Sequence, residues 1–227
     1  MNFKLMNTTK KTVYLCLALL GPVFLIFMFT FFARTQHKLP VFFANDSIKT
    51  EREYVITDAH KIPDYKLIDQ NGAIFDSKSV DADFKVYDFV FTRCGGTCPK
   101  MSTQFIRVQE AFKDDKDVVL LSLTVDPEHD TPEVLKAYAK TYNAIPGKWF
   151  FLTGEKDSIY TLGQKQFFLT AKQNEDDLTD FLHSERMVLV DKNGWIRGYY
   201  TGTEEKEVDR LIIELKVLQK IEHDAKQ

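Results

Sequence analysis

Hydrophobic positions fall into two regimes along this chain. Residues Thr12 to Ala33 form an uncharged run of 22, rich in Leu, Phe, Ile and Val. As a helix such a run would rise about 33 Å, enough to cross a hydrocarbon core of about 30 Å. It predicts a membrane span, and Gly21-Pro22 within it does not count against that, because transmembrane helices tolerate helix breakers. Beyond it the apolar residues come in short bursts separated by turn residues, the pattern of a folded domain.

The bursts can be read one by one. Tyr65 to Ile68, the turn Asp69-Gln70-Asn71-Gly72 and Ala73 to Phe75 predict a β-hairpin closed by an Asn-Gly step. Val86 to Phe91 is apolar except for Asp88 and predicts a strand covered on both faces. Pro99 to Phe112 predicts a helix, with Phe105, Val108 and Phe112 at helical spacing. Val118 to Val125 is a second buried strand. Asp130-Thr131-Pro132-Glu133 then supplies a capping residue and a first-turn Pro for a helix through Tyr142. Trp149 to Leu152 predicts a strand, Ser158 to Gln166 a helix, Met187 to Val190 and Trp195 to Tyr200 a second hairpin around Asn193-Gly194, and Val208 to Leu218 a closing amphipathic helix. The order β-β-β-α-β-α-β-α-β-β-α predicts an α/β thioredoxin-like fold with an added N-terminal β-hairpin.

Charge sets the topology. The chain has 30 basic and 33 acidic residues; residues 1–43 hold five of the basic ones and no acidic ones, which leaves 25 against 33 beyond, about −8. That balance excludes a nucleic-acid partner. Lys4, Lys10 and Lys11 precede the apolar run and Arg34 and Lys38 follow it, a bias that predicts a cytoplasmic N-terminus and an exported domain. Cleavage after Ala33 would put Phe31 where a signal peptidase wants a small residue, so an uncleaved anchor is expected. The expected organisation is a short cytoplasmic segment (1–11), a transmembrane anchor (12–33), a tether (34–57) and one domain (58–227). With no Arg-rich stretch ahead of the anchor, a bacterial inner membrane with the domain on the periplasmic side is favoured over a mitochondrial one.

The chain has three cysteines. Cys16 sits in the apolar run, where a thiol is inert. Cys94 and Cys98 stand four apart in Arg93-Cys94-Gly95-Gly96-Thr97-Cys98-Pro99, where a strand runs into a helix. A helix N-terminus lowers thiol pKa, and thiols outside the cytosol are usually oxidised or liganded, so the pair serves either a soft metal or a disulfide.

Three motifs in order, Cys94-x-x-x-Cys98-Pro99, Thr124-Val125-Asp126-Pro127-Glu128-His129-Asp130-Thr131-Pro132 and Leu182-His183-Ser184, make the chain resemble the Sco/SenC family over roughly Ile62 to Leu218. The resemblance implies a membrane-anchored, thioredoxin-fold copper-binding protein that supports assembly of the dinuclear copper centre of cytochrome c oxidase. It implies Cys94, Cys98 and His183 as copper ligands, for Cu(I) or Cu(II), with Cys94 and Cys98 also able to form a disulfide. It implies an acidic residue at Asp126 that orients a ligand or a partner. Two thiolates and an imidazole suit a soft cuprous ion. The implied partners are the copper-bearing oxidase subunit or another copper chaperone. Such a protein is a metallochaperone and need not be an enzyme in the turnover sense. Family members often have Pro after the first cysteine and a bulky residue before the second; Gly95-Gly96-Thr97 departs from that and predicts a looser loop.

Two alternatives share the thiols. One is a thiol-disulfide oxidoreductase that cycles Cys94 and Cys98 to keep the oxidase copper-site cysteines reduced. The other is a thiol peroxidase, disfavoured because Thr92 lies only two residues before Cys94. His129 is expected to be solvated, His37, His60 and His223 to lie in the tether or tail, Met101 and Met187 to fill the core, and Glu175-Asp176-Asp177 to lie in a solvated loop.

Overall fold

The computed structural model describes residues 18–26, 28, 47–50, 53–56, 60–169 and 184–224. The chain divides into two compact units, residues 1–38 and 39–227. In the first, residues 18–26 form a helix (α1) whose Leu19, Leu20, Val23, Phe24, Leu25 and Ile26 are exposed. Among the described residues no helix is long and apolar enough to cross a membrane.

In the second unit, strands β1 (Ser47–Thr50) and β2 (Glu53–Ile56) pair antiparallel within the segment read from sequence as an irregular tether. Seven further strands form one sheet in the order β4-β3-β7-β6-β5-β8-β9. They are β3 (Lys66–Asp69), β4 (Ile74–Asp76), β5 (Phe84–Val90), β6 (Val118–Thr124), β7 (Trp149–Thr153), β8 (Arg186–Val190) and β9 (Ile196–Thr201). The helices are α2 (Thr97–Ala111), α3 (Pro132–Thr141), α4 (Lys156–Thr161), which runs on as a π-helical turn Leu162–Gln166, and α5 (Glu205–Asp224).

The predicted elements are present in the predicted order. β5, β6 and β7 are parallel, as strand-helix-strand connections require, and β3 and β8 flank them antiparallel. Both hairpin turns carry their glycine at φ 79°, at Gly72 and Gly194, the left-handed conformation that an Asn-Gly turn exploits. Thr131 caps α3 by accepting from the amide of Val134, with Pro132 in the first turn.

The central strands are apolar on both sides because both faces are covered. Phe84, Val86, Leu120, Trp149, Phe151, Met187, Leu189 and Tyr200 share one buried cluster with Phe105 and Val108 of α2, Leu135 of α3 and Leu211 and Leu215 of α5. Tyr87, Phe89, Leu121, Leu123, Leu152, Val188 and Val190 share the other with Ile159, Leu162 and Phe167. Met101 and Met187 are fully buried, as expected of core side chains.

One register matters for function. β5 and β6 pair from Phe84↔Val118 through Val90↔Thr124, so their carboxyl ends stop level with each other. Val125 extends the match by donating its amide to the carbonyl of Val90 at 2.9 Å. The segment carrying Cys94 and the segment carrying Asp126 to Asp130 therefore leave the sheet side by side, at the edge where open α/β sheets present ligands.

Candidate functional site

Helix α2 begins at Thr97, two residues earlier than the position of Pro99 suggests, so Cys98 lies in its first turn. Its N-cap, Gly96, has no side chain to accept from the free amides, and the first turn carries no acidic residue. The sulfur of Cys94 fills that role: the amide of Cys98 donates to Sγ at 3.5 Å.

The two thiols are unequal. Cys94 is half-buried and Cys98 is buried, and neither is in a disulfide in this structure. Burial alone would raise the Cys94 pKa, but the amides of Cys98, Gly96 and Thr97 and the Cys98 thiol all point to its sulfur and together hold it below the ordinary value. Burial pushes Cys98 up to about 12, with the nearby Cys94 and Asp88 adding to the rise. Cys94 is thus the more accessible, acidified sulfur, and Cys98 stays a protonated thiol until something displaces its proton.

Gly95 and Gly96 would meet nothing within 4 Å if either carried a Cβ, so the loop stands open to solvent. On the other side of Cys94, Arg93 pairs with Asp126 through Nη2 at 2.5 Å and Nε at 3.2 Å. Asp126 thereby touches the motif through the residue before Cys94. His183, with Leu182 and the acidic run Glu175 to Asp177, lies outside the described residues, as do His37 and Cys16. The chain is described again from Ser184, and the Thr97 hydroxyl donates to the Glu185 carboxylate at 3.4 Å. Glu185 also accepts from the Thr203 hydroxyl at 2.7 Å.

Sequence reasoning missed two acidic residues. Asp130, which reads as part of a helix cap, is fully buried and accepts from the Thr92 amide (3.1 Å), the Thr92 hydroxyl (2.5 Å) and the Thr124 hydroxyl (2.5 Å). Asp88, the acidic residue of β5, is also fully buried, and neither of its carboxylate oxygens makes a hydrogen bond among the described residues. Burial raises its pKa to about 7, while Ser122, opposite it in register, pulls more weakly the other way. An acidic residue in a largely apolar central strand was the available signal.

His129 lies 3.0 Å from the Asp130 carboxylate with its side chain 40% exposed. Asp126, His129 and Asp130 bring ligand atoms within 4.8 Å of one another. The Asp126 carboxylate is paired with Arg93, and the Asp130 carboxylate is already filled by the Thr92 amide and the Thr92 and Thr124 hydroxyls. His60 does not lie loose in a tether: Nε2 is 3.0 Å from the carbonyl of Gln166, and the ring packs edge-on against Phe168.

A thioredoxin-like sheet with an acidified and a buried thiol at the start of the helix after a central strand defines a dithiol protein, whose two sulfurs are placed to share a soft metal or to close a disulfide. The SCO1/SenC family model matches residues 55–217, and the chain belongs to that family. The SCO2-like protein of Rickettsia typhi is 34% identical over 149 residues, covering 63% of this chain and 72% of that protein. The solved structure of BsSco, a member of the Sco family of cytochrome c oxidase assembly proteins in which a disulfide switch was identified, is similar with TM-score 0.59 and 29% identity, covering 69% of this chain and 92% of that one. The Arabidopsis thaliana ScoI structure, solved with copper bound, shares the fold with TM-score 0.56 and 24% identity, covering 71% of this chain and 99% of that one.

Proposed function

We propose that this chain is a copper chaperone anchored in a bacterial inner membrane by residues 12–33, with its domain on the periplasmic side. It holds copper through Cys94, Cys98 and His183 and delivers it by ligand exchange during assembly of the cytochrome c oxidase copper centre. The acceptor is the copper-bearing oxidase subunit or another copper chaperone.

The observation that carries this reading is the inequality of the two thiols at one helix end. Two sulfurs fit a soft cuprous ion, and the more accessible, acidified thiol is the natural point of first capture. Cys98, buried and protonated, then closes the chelate by exchanging its proton for the metal. For His183 the support is that it lies two residues before Glu185, whose carboxylate accepts from Thr97 next to the motif. Two residues span at most about 7 Å of backbone, so an imidazole there would be within reach of the site.

The same inequality favours a second reading. An acidified, half-buried thiol beside a buried one is also the arrangement of an attacking and a resolving cysteine, which supports a thiol-disulfide oxidoreductase acting on the oxidase copper-site cysteines. The Thr92 hydroxyl is committed to Asp130, which gives no support to a peroxidase reading.

His183→Ala separates the two. Anaerobic copper titration of the reduced protein should show a drop in Cu(I) affinity on the order of tenfold or more with disulfide exchange retained. Unchanged copper binding would remove His183 from the ligand set.

A further inference from the structure

Cys94 is held in opposite ways on its two sides. After it come Gly95 and Gly96, with empty space around both. Before it, two consecutive residues are fastened to the neighbouring loop, Arg93 to Asp126 and Thr92 to Asp130. The fastenings differ in kind. The Arg93 side chain is 61% exposed, and ion pairs of that sort contribute little in water. Asp130 is 0% exposed, and a buried carboxylate is tolerated only when its lone pairs are filled.

The donors that fill it are all structural. Thr92 supplies both its amide and its hydroxyl, Thr124 supplies the last hydroxyl of β6, and His129 Nδ1 lies 3.0 Å away. Asp130 is itself fixed, its amide donating to the Asp126 carbonyl at 2.9 Å, and the Asp126 amide donates to Thr124 Oγ1 at 3.0 Å. The carboxylate therefore joins the end of β6 to the second residue of the loop after β5, and that residue is two positions from Cys94.

We propose that Asp130, acting through Thr92, is a positioning residue for Cys94. It fixes the backbone from which the cysteine departs, so that Sγ stays beneath the amides of α2 although the two following residues are glycines. The proposal rests on the reading of Cys94 as a functional thiol, but it does not need metal to be tested. Neither Thr92 nor Asp130 is hydrogen-bonded to either sulfur among the described residues; both act on Cys94 through the backbone.

The test uses the full chain in detergent, reduced, as Thr92→Val, Thr92→Ser and Asp130→Asn, with Thr103→Val as control because the Thr103 hydroxyl serves only the Pro99 carbonyl on α2. Three quantities are followed: the rate of Cys94 alkylation by iodoacetamide at pH 7 without metal, Cu(I) affinity against a chromophoric chelator, and the melting temperature. Thr92→Val keeps its amide bond to Asp130 and should fold. It should slow Cys94 alkylation several-fold and weaken Cu(I) binding on the order of tenfold, the usual effect of losing support around a metal ligand. Thr92→Ser and the control should behave as wild type, and Asp130→Asn, if it folds, should exceed Thr92→Val in both effects. Wild-type alkylation and affinity in Thr92→Val would overturn the proposal, as would equal losses in Thr92→Val and Thr92→Ser. If the wild-type protein binds no Cu(I), the copper reading falls, and alkylation alone still decides the positioning role.

Discussion

Asp88 and Ser122 face each other in register across β5 and β6, yet Ser122 Oγ is engaged by the indole N–H of Trp149 at 2.9 Å and neither oxygen of Asp88 forms a hydrogen bond among the described residues. Asp88 is thus a buried carboxyl group whose charge Ser122 and its own amide support only weakly against the loss of water.

Its pKa is raised from 3.8 to about 7 in the folded protein. The folded state then binds more protons than the unfolded state between these values, so stability falls as pH rises through 4 and levels off above 7. The full penalty is about 4 kcal/mol. Asp88→Asn does not titrate, so its stability relative to wild type should improve by about that amount between pH 4 and pH 8. Urea unfolding of both proteins at the two pH values measures the difference; a constant gap would mean that Asp88 is not an isolated buried acid.

Cys94 and Cys98 should react at very different rates. At pH 8 a thiol of pKa about 12 is ionised on the order of one part in ten thousand, whereas Cys94, held below the ordinary thiol value by the amides at the helix start, is ionised far more. The thiolate fraction outweighs the greater intrinsic nucleophilicity of the more basic sulfur, so Cys94 should alkylate at least about tenfold faster. Mass spectrometry of the reduced, metal-free protein after timed iodoacetamide exposure reads both rates, and comparable rates would contradict the assigned inequality.

Gly95→Ala tests what the looser loop costs. The position has open space and is not left-handed, so alanine fits and chiefly restricts the unbound loop. Cu(I) affinity should rise roughly two- to fivefold, matching about 0.4–1 kcal/mol of entropy no longer lost on binding. A competition titration that shows weaker binding would mean the glycine is needed for the bound geometry.

Trp149→Phe probes the joint between core and site. Trp149 is fully buried, stacks on Phe151 and satisfies Ser122. Loss of the indole leaves a gap and an unpaired hydroxyl, for an expected cost of about 2 to 3 kcal/mol in urea unfolding. A loss below about 0.5 kcal/mol would show that the neighbouring rings close over the space.

The sheet was legible because its punctuation is local. Asn71-Gly72, Asn193-Gly194 and Thr131-Pro132 each specify a turn or cap within a few residues, and alternating or continuous apolar runs do the rest. The early start of α2 was not legible, since it depends on a cysteine sulfur accepting where Ser, Thr, Asp or Asn would normally cap. Asp130 was hidden for a different reason. In sequence it sits beside a helix cap, and only the level ends of two parallel strands bring it to Thr92, 38 positions away. The pairing of β1 with β2 escaped notice because eight polar and apolar residues in mixed order carry no periodicity. His183 could be named from its motif alone.

The bare start of α2 also has a bearing on oxidation state. Thr97-Cys98-Pro99-Lys100 carries no acidic side chain of its own at the positive end of the helix dipole, so thiolates formed there add to the Glu185 carboxylate, which accepts from the Thr97 hydroxyl, as anions at that end. With the proposed ligands, two thiolates around Cu(I) carry net −1 and around Cu(II) carry none. A helix terminus that favours negative charge by about 0.3 to 1 kcal/mol tilts the site toward the cuprous ion and raises its reduction potential accordingly.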